Sequence, residues 1–226
     1  MFSNREDAGW SEVKQAVIMV AEALDSMQVQ FGICGGAAIG LIREQQNTKP
    51  RVTEDVDLVI QPDKSRYINA ETISEKLLVE FPSQFQAIVR FGVRIPAACV
   101  TYGNTQVLVE LEIFDVEAWP FRPQYNLNEK RNTRVKVPIG GEKTVYVFSP
   151  VWLLREKILT HSNRVGSGRA KSDLDDILFL LDIVGERSLV MKSGEEIAAL
   201  KVLLEKAPQL KESLMEAVVC PEVLEN

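Results

Sequence analysis

The sequence predicts an α+β protein in which a mixed β-sheet flanked by helices is followed by a C-terminal helical domain. Three patterns indicate this fold. A short β-rich run, a glycine doublet and a helix follow one another near position 35, more β-rich runs dominate residues 85–148, and helical spacing of apolar residues dominates after Pro150. We therefore expect two domains, residues 1–148 and 149–226, because proline favours the first turn of a helix.

The first part of the chain predicts alternating helices and strands. Residues 11–28 carry apolar side chains at helical spacing, so a helix is expected there. Residues 29–34 form a short β-rich run that ends at Gly35-Gly36, after which helical spacing resumes over residues 37–42. Residues 55–60 alternate in hydrophobicity and predict the next strand.

The later elements repeat these patterns. Residues 71–81 predict a helix. The β-rich runs that follow predict strands at 85–95, 97–102, 106–116, 134–138 and 144–148. Turns are expected at Gly103-Asn104 and Gly140-Gly141. The C-terminal helices are expected at 152–159, 174–184, 195–204 and 210–219.

Composition narrows the possible function classes. The chain has 226 residues, 46% of them hydrophobic and 26% charged, which is typical of a globular protein. Its net charge of -6 gives no general attraction to nucleic acid. The single histidine, His161, leaves little room for a His-centred triad or a His-rich metal site. The cysteines form no paired motif, and no secretory signal or membrane-spanning run is evident, so we expect a cytoplasmic protein without a membrane partner.

Two carboxylates are predicted to lie together on the strand over residues 55–60. Side chains two apart in a strand project to the same side, so Asp55 and Asp57 point one way while Val56 and Leu58 face the core. Two such carboxylates repel each other unless a cation lies between them, and Mg²⁺ is typically bound by carboxylates together with substrate phosphates. The pair is a candidate metal site, although a solvated strand face would show the same pattern.

The Gly35-Gly36 doublet lies between a strand and a helix. Without side chains, this turn would let a phosphate approach the backbone N–H groups at the positive end of the helix. Close packing or a left-handed turn would require the same residues, so the doublet alone leaves these interpretations open. It matches neither the dinucleotide-binding glycine motif nor a P-loop.

A third carboxylate is expected from the strand at 106–116. Its apolar residues alternate with Glu110 and Glu112, which therefore share the opposite face. Paired strands run about 4.8 Å apart, so a strand beside the one that carries Asp55 would bring either glutamate close to the aspartates. We prefer Glu112, but two solvent-facing glutamates would show the same alternation.

Motif order provides the most specific signal. Gly35-Gly36 is followed by a helix, then by Arg51-x-Thr53-x-Asp55-x-Asp57, and then by an acid in a later strand. This order resembles the DNA polymerase beta-like nucleotidyltransferase superfamily, and it is most similar to the minimal, AbiEii-like and aminoglycoside nucleotidyltransferase branches. The C-terminal helices resemble those branches in Lys157, Arg164, Lys171, Asp173 and Asp176.

The resemblance implies transfer of a nucleoside monophosphate from an NTP, with ATP expected, to a hydroxyl of a small molecule or a protein, with release of pyrophosphate. It implies that Asp55, Asp57 and Glu112 are catalytic and hold Mg²⁺ or Mn²⁺. The residues implied in nucleotide binding are Gly35, Gly36, Arg51, Thr53, Lys157 and Lys171. Because the family usually has aspartate as its third acid, the alternative is a catalytically weakened nucleotide-binding regulator or antitoxin-like partner of the same fold.

Overall fold

The structure is a computed structural model that describes residues 2–3, 9–90, 92–102, 105–120, 122–131, 133–164 and 166–225. The chain divides into two compact units, Met1–Phe148 and Ser149–Asn226. The N-terminal unit contains the large β-sheet, and the C-terminal unit is mainly helical.

The N-terminal unit alternates helices and strands before a run of strands. Its strands are β1 (Phe2–Ser3), β2 (Phe31–Cys34), β3 (Asp55–Ile60), β4 (Phe85–Arg90), β5 (Val93–Tyr102), β6 (Thr105–Phe114), β7 (Arg134–Gly140) and β8 (Lys143–Phe148). Its helices are α1 (Trp10–Ser26), α2 (Gly35–Gln45) and α3 (Ala70–Glu80). Each of the predicted elements in this unit therefore has a counterpart in the described residues.

The strands of this unit form an eight-stranded sheet in the order β4-β5-β6-β3-β2-β8-β7, with β1 beside β6. Strand β3 runs parallel to β6, and β2 runs parallel to β8, whereas β2 and β3 are antiparallel. The predicted turn at Gly140-Gly141 joins β7 to β8, and the one at Gly103-Asn104 lies outside the described residues. The sheet is mixed, and its neighbouring strands β3 and β6 are the two that carry the candidate acids.

Helix α1 covers the sheet with an apolar stripe. Val13, Val17 and Leu24 recur at helical spacing and are completely buried, and the helix contacts β3, β5 and β6. Burying each such side chain contributes about 1.5–3 kcal/mol. Helix α1 also approaches α2 closely at Gly40, where a Cβ atom would lie 2.2 Å from Cζ3 of Trp10. This packing fixes α2 against α1, and α2 begins at the candidate site.

One strand boundary differs from the sequence prediction. The break expected between residues 95 and 97 is absent, because Pro96 lies inside the continuous strand β5 and pairs with Ala87. Proline lacks the N–H that a second neighbouring strand would need, and the pairing of β5 with β6 begins only at Ala97. The chain turns earlier, at Gly92, whose φ of +81° is one that glycine adopts without strain.

The C-terminal unit consists mainly of helices. They are α4 (Pro150–Asn163), α5 (Arg169–Leu181), α6 (Gly194–Lys206), α7 (Lys211–Ala217) and α8 (Pro221–Leu224), with a two-stranded parallel sheet of β9 (Leu189–Val190) and β10 (Val218–Val219). Helix α4 begins as its sequence predicts, with Pro150 in the first turn and the Ser149 hydroxyl accepting a hydrogen bond from the backbone N–H of Trp152.

The predicted fold class is confirmed. A mixed sheet is flanked by helices, and a helical region follows it along the chain. Every helix in the described ranges is too short or too polar to cross the hydrocarbon layer of a lipid bilayer.

Candidate active site

The junction between β2 and α2 holds a carboxylate against the backbone. Gly35, the first residue of α2, has a φ of +61°, a left-handed conformation that costs a residue with a side chain roughly 1–2 kcal/mol. A Cβ atom at Gly35 would lie 1.8 Å from Oδ2 of Asp57, far inside van der Waals contact. Glycine is therefore required at this position for two reasons, the backbone conformation and the approach of the Asp57 carboxylate to the start of α2.

Gly36 allows a second close approach. A Cβ atom at this residue would lie 2.0 Å from Nη1 of Arg51 and 2.7 Å from Oγ1 of Thr53. The Thr53 hydroxyl also donates a hydrogen bond to Oδ1 of Asp55 at 2.8 Å, and bonds to a carboxylate are stronger than those between neutral groups. The structure thus brings Arg51 and Thr53, two residues predicted to bind nucleotide, over the glycine doublet.

The acids of β3 and β6 lie on one face of the sheet in matched positions. In the parallel pairing, Asp55 lies opposite Glu110 and Asp57 lies opposite Glu112, with the strands about 4.8 Å apart. Asp55, Asp57 and Glu112 are half-buried, whereas the alternating residue Val56 is completely buried. The residues predicted to hold the metal are therefore neighbours on the face opposite the apolar side chains of β3.

Burial distinguishes the two candidates for the third carboxylate. Glu110 is only 2% exposed, and its Oε1 atom accepts a hydrogen bond from Nε of Arg90 at 2.6 Å. This ion pair balances the charge of Glu110 inside the protein. Glu112 lies opposite Asp57 and is half-buried, so its exposure, and not the register, sets it apart from Glu110, and the preference for Glu112 stays a prediction.

Arg90 is the residue near the site that sequence reasoning missed. It lies at the end of β4, and it reaches Glu110 across the intervening strand β5. Only the registers of two successive hairpins determine this contact. The signals in the sequence that could have indicated it are the turn residues, Gly92 for the first hairpin and Gly103-Asn104 for the second.

The donors around Asp57 suit a hard divalent cation that arrives with a substrate. The carboxylates of Asp55, Asp57 and Glu112 offer oxygen atoms, which Mg²⁺ prefers. Across the described part of the chain, no three His, Cys, Asp or Glu side chains are grouped so that they would hold a metal ion by themselves. Mg²⁺ is typically bound through one or two carboxylates and completes its shell with waters and substrate phosphates, so the donor set fits this mode of binding.

Lys157 lies in a buried ionic cluster within the C-terminal unit. Its Nζ atom is 2.9 Å from Oδ1 of Asp173 and 2.9 Å from Oδ2 of Asp176, and both aspartates are buried. Asp173 also lies 3.5 Å from Nη1 of Arg164. The ammonium group is therefore engaged by carboxylates of α5, and the predicted role of Lys157 in binding the triphosphate stays a prediction that this geometry does not support.

The remaining candidates of the C-terminal unit differ in exposure. Lys171 is exposed in the first turn of α5, and its predicted role in nucleotide binding stays a prediction. His161 is 4% exposed, and neither ring nitrogen hydrogen-bonds to a described residue.

The chain resembles a solved structure over nearly its whole length. That structure is an antigenic nucleotidyltransferase-like protein from Paracoccidioides brasiliensis, 40% identical in sequence, with a TM-score of 0.85 over 96% of this chain and 98% of that one. A solution structure of the antibiotic-resistance factor ANT(2'')-Ia matches 89% of this chain and 97% of its own, at 13% identity and a TM-score of 0.45. No protein-family model matches the chain, and no curated protein does.

Proposed function

The chain belongs to the nucleotidyltransferase superfamily, and on this premise we propose that it transfers a nucleoside monophosphate from an NTP to an acceptor hydroxyl and releases pyrophosphate. ATP is the expected donor, and Mg²⁺ or Mn²⁺ is the expected metal. The acceptor is a small molecule or a protein, since the net charge of -6 does not attract nucleic acid.

One observation carries the proposal. The Asp57 carboxylate lies against Gly35, where α2 begins, with Asp55 on the same strand face and Glu112 opposite on the neighbouring strand. The first backbone N–H groups of a helix attract phosphate, and carboxylates attract the cation that accompanies a triphosphate. Both halves of a metal–nucleotide complex thus meet suitable groups within one small region.

Each residue has a separate role in this proposal. The backbone N–H groups at Gly35 and Gly36, where α2 begins, bind phosphate oxygens. The missing side chains of the two glycines leave room for Asp57, Arg51 and Thr53 beside this backbone. Asp55 and Asp57 hold the metal, and the hydroxyl of Thr53 orients Asp55 through its hydrogen bond. When bound, the metal supplies charge neutralisation for the triphosphate.

Glu112 receives the proton of the acceptor. The acceptor oxygen forms a bond to the α-phosphorus, while the bond from that phosphorus to the bridging oxygen breaks and pyrophosphate leaves with the electron pair. The proton of the acceptor hydroxyl passes to the carboxylate of Glu112, which lies opposite Asp57 in the register. A glutamate reaches one methylene further than the aspartate usual in the family, and it provides the same chemical group.

A pyrophosphate-release screen tests this function. The full chain is incubated with Mg²⁺, each of the four NTPs and several acceptor classes, including phenols, aminoglycosides, tRNA and a cell lysate. We expect release with at least one pair of donor and acceptor, and no release from the Asp55→Asn/Asp57→Asn double variant. Saturable NTP binding without release in any combination would instead support the nucleotide-binding regulator, for which the glutamate at position 112 is the favouring observation.

A further inference from the structure

Strand β5 separates from β6 next to the candidate site. The two strands pair from Tyr102 and Thr105 as far as Ala97 and Glu110, and their ladder ends there. Beyond this point, residues 93–96 of β5 pair with β4, while residues 111–114 of β6 pair with β3. The two halves of the sheet therefore diverge at the position where β6 presents Glu112.

A cleft of about 710 Å³ opens between the diverging strands. Residues 93–96 of β5 form one wall, residues 111–114 of β6 form another, and α3 contributes Ser74 and Leu78. Sites for small molecules commonly have volumes of roughly 300–1,000 Å³. The cleft thus has the size of a binding site for one small molecule, and all of its lining belongs to the N-terminal unit.

Glu112 connects this cleft with the candidate active site. Glu112 is among the residues that line the cleft, and its position in the register is opposite Asp57. A molecule in the cleft would therefore be able to present one end to the carboxylate that the proposed function assigns to the acceptor proton. The other three acids on this face of β3 and β6, which are Asp55, Asp57 and Glu110, are not among the lining residues of the cleft.

The other walls of the cleft are largely apolar. Leu78, Ile95 and Phe114 line the cleft and are half-buried, and Val93 and Trp119 line it with exposed side chains. The Trp119 ring packs edge-on against Phe114, with 6.3 Å between the ring centroids, and yet it stays 40% exposed. A ligand that covers these groups would remove apolar surface from water, and this gain favours a ligand with an apolar body.

Charged residues of both signs surround the opening. Glu71, Glu75 and Arg94 all line the cleft at exposed positions, where water screens their charges. They therefore give little selection for a strongly charged ligand of either sign. Arg90 also lines the cleft, and its guanidinium group is paired with Glu110. Selection is expected from the apolar walls and from Glu112, the half-buried acid of the cleft, whose carboxylate accepts a hydrogen bond from a hydroxyl group.

We propose that this cleft binds the acceptor, and that the acceptor is a small molecule with an apolar, ring-sized body and one hydroxyl group directed at Glu112. The proposal rests on the proposed function for the fate of that hydroxyl. The size and apolar lining of the cleft fit phenols and alicyclic alcohols better than sugars, aminoglycosides or extended peptides, whose polar groups would lose water without finding partners.

Binding is tested first, without nucleotide or metal. Ligand-observed NMR measures the binding of 2-naphthol and cyclohexanemethanol to the full chain, with glucose, kanamycin and a serine-containing tripeptide as polar probes. We expect the two ring compounds to bind, and Trp119→Ala to weaken their binding by about tenfold, because it removes one apolar wall. Tyr146→Ala is the matched control, since Tyr146 is 38% exposed on β8 and does not line the cleft.

Measurements of turnover then test the assignment of the cleft independently of the proposed function. With Mg²⁺ and ATP, we expect Trp119→Ala to raise the KM for a bound ring compound by about tenfold while the KM for ATP stays unchanged. Ring-selective binding that depends on Trp119, without any pyrophosphate release, would support the cleft and contradict the function. Two results would overturn the cleft assignment. One is pyrophosphate release with an acceptor whose KM is the same in the Trp119→Ala variant as in the unchanged protein. The other is tighter binding of glucose, kanamycin or the tripeptide than of the ring compounds.

Discussion

The two units of the protein hold grouped carboxylates in different surroundings. In the C-terminal unit, Asp173 and Asp176 are 0% and 1% exposed, and both lie 2.9 Å from the ammonium group of Lys157. In the N-terminal unit, Asp55 and Asp57 are half-buried beside the start of α2. The first group is paired inside the fold, whereas the second is partly exposed to solvent.

This difference teaches that spacing alone does not reveal the role of a carboxylate pair. Both pairs recur at the period of their own element, two residues apart on a strand and three residues apart on a helix. Burial separates them. A buried cluster is tolerated because its charges are paired, while a partly exposed cluster beside a helix start is suited to binding.

The largest effect is expected on stability, when the buried cluster of Asp173 and Asp176 loses the ammonium group of Lys157. Lys157→Met leaves Asp173 and Asp176 buried without the ammonium group, so we expect the free energy of unfolding to fall by about 3–5 kcal/mol in urea titrations followed by circular dichroism. Lys64→Met is the matched control, because Lys64 is 86% exposed in its ion pair with Glu117, and a change below about 1 kcal/mol is expected. Unchanged stability of Lys157→Met together with a raised KM for ATP would instead support a phosphate-binding lysine.

The next effect concerns the third carboxylate of the N-terminal unit. Glu112→Gln removes the group that accepts the proton, so we expect pyrophosphate release to slow by about 10²–10⁴-fold. Glu110→Gln is the control on the same strand face, and it should keep activity within about threefold, because the side chain is buried against Arg90 and its amide oxygen still accepts a hydrogen bond. The reverse ranking of the two variants would assign the catalytic role to Glu110.

A smaller effect is expected from crowding the carboxylate without removing it. Gly35→Ala places a methyl group 1.8 Å from the present position of Oδ2 of Asp57, and displacement of a catalytic group by about 1 Å costs about 10²-fold in rate. Gly141→Ala has the same left-handed backbone, with φ of +58°, but no atom within 4 Å. It should therefore share only the backbone strain of Gly35→Ala and keep full activity. Equal loss of activity in both variants would show that Asp57 is not the cause.

The features that could be predicted from the sequence are those that depend on neighbouring residues along the chain. The strand with Asp55 and Asp57, the glycine doublet and the start of α4 at Pro150 depend on neighbouring residues only, and the structure contains each of them. The period of a strand is enough to place two side chains on one face. For that reason the fold class and the central part of the candidate site were accessible from the chain itself.

Features that depend on distant pairings were not accessible in this way. The ion pair of Arg90 and Glu110 requires the registers of two hairpins, and the pairing of Lys157 with two aspartates requires the packing of α4 against α5. The cleft exists because the pairing of β5 with β6 stops at Ala97. No local sequence pattern predicts the residue at which the pairing of two strands ends. The two separate runs predicted at 85–95 and 97–102 meet at Pro96, where the structure has one continuous strand that gains β6 as a partner from Ala97 onward.

Calorimetric titration of ATP tests most directly whether Asp55 and Asp57 form a site for a metal–nucleotide complex. The measurement compares the full chain with the Asp55→Asn/Asp57→Asn variant, each in Mg²⁺ and in excess EDTA, after circular dichroism has shown that both are folded. We expect saturable binding that requires Mg²⁺ and that weakens by about a hundredfold, or ~2.7 kcal/mol, in the variant. Binding of equal affinity in both proteins, or binding that EDTA leaves unchanged, would contradict the assignment of the site.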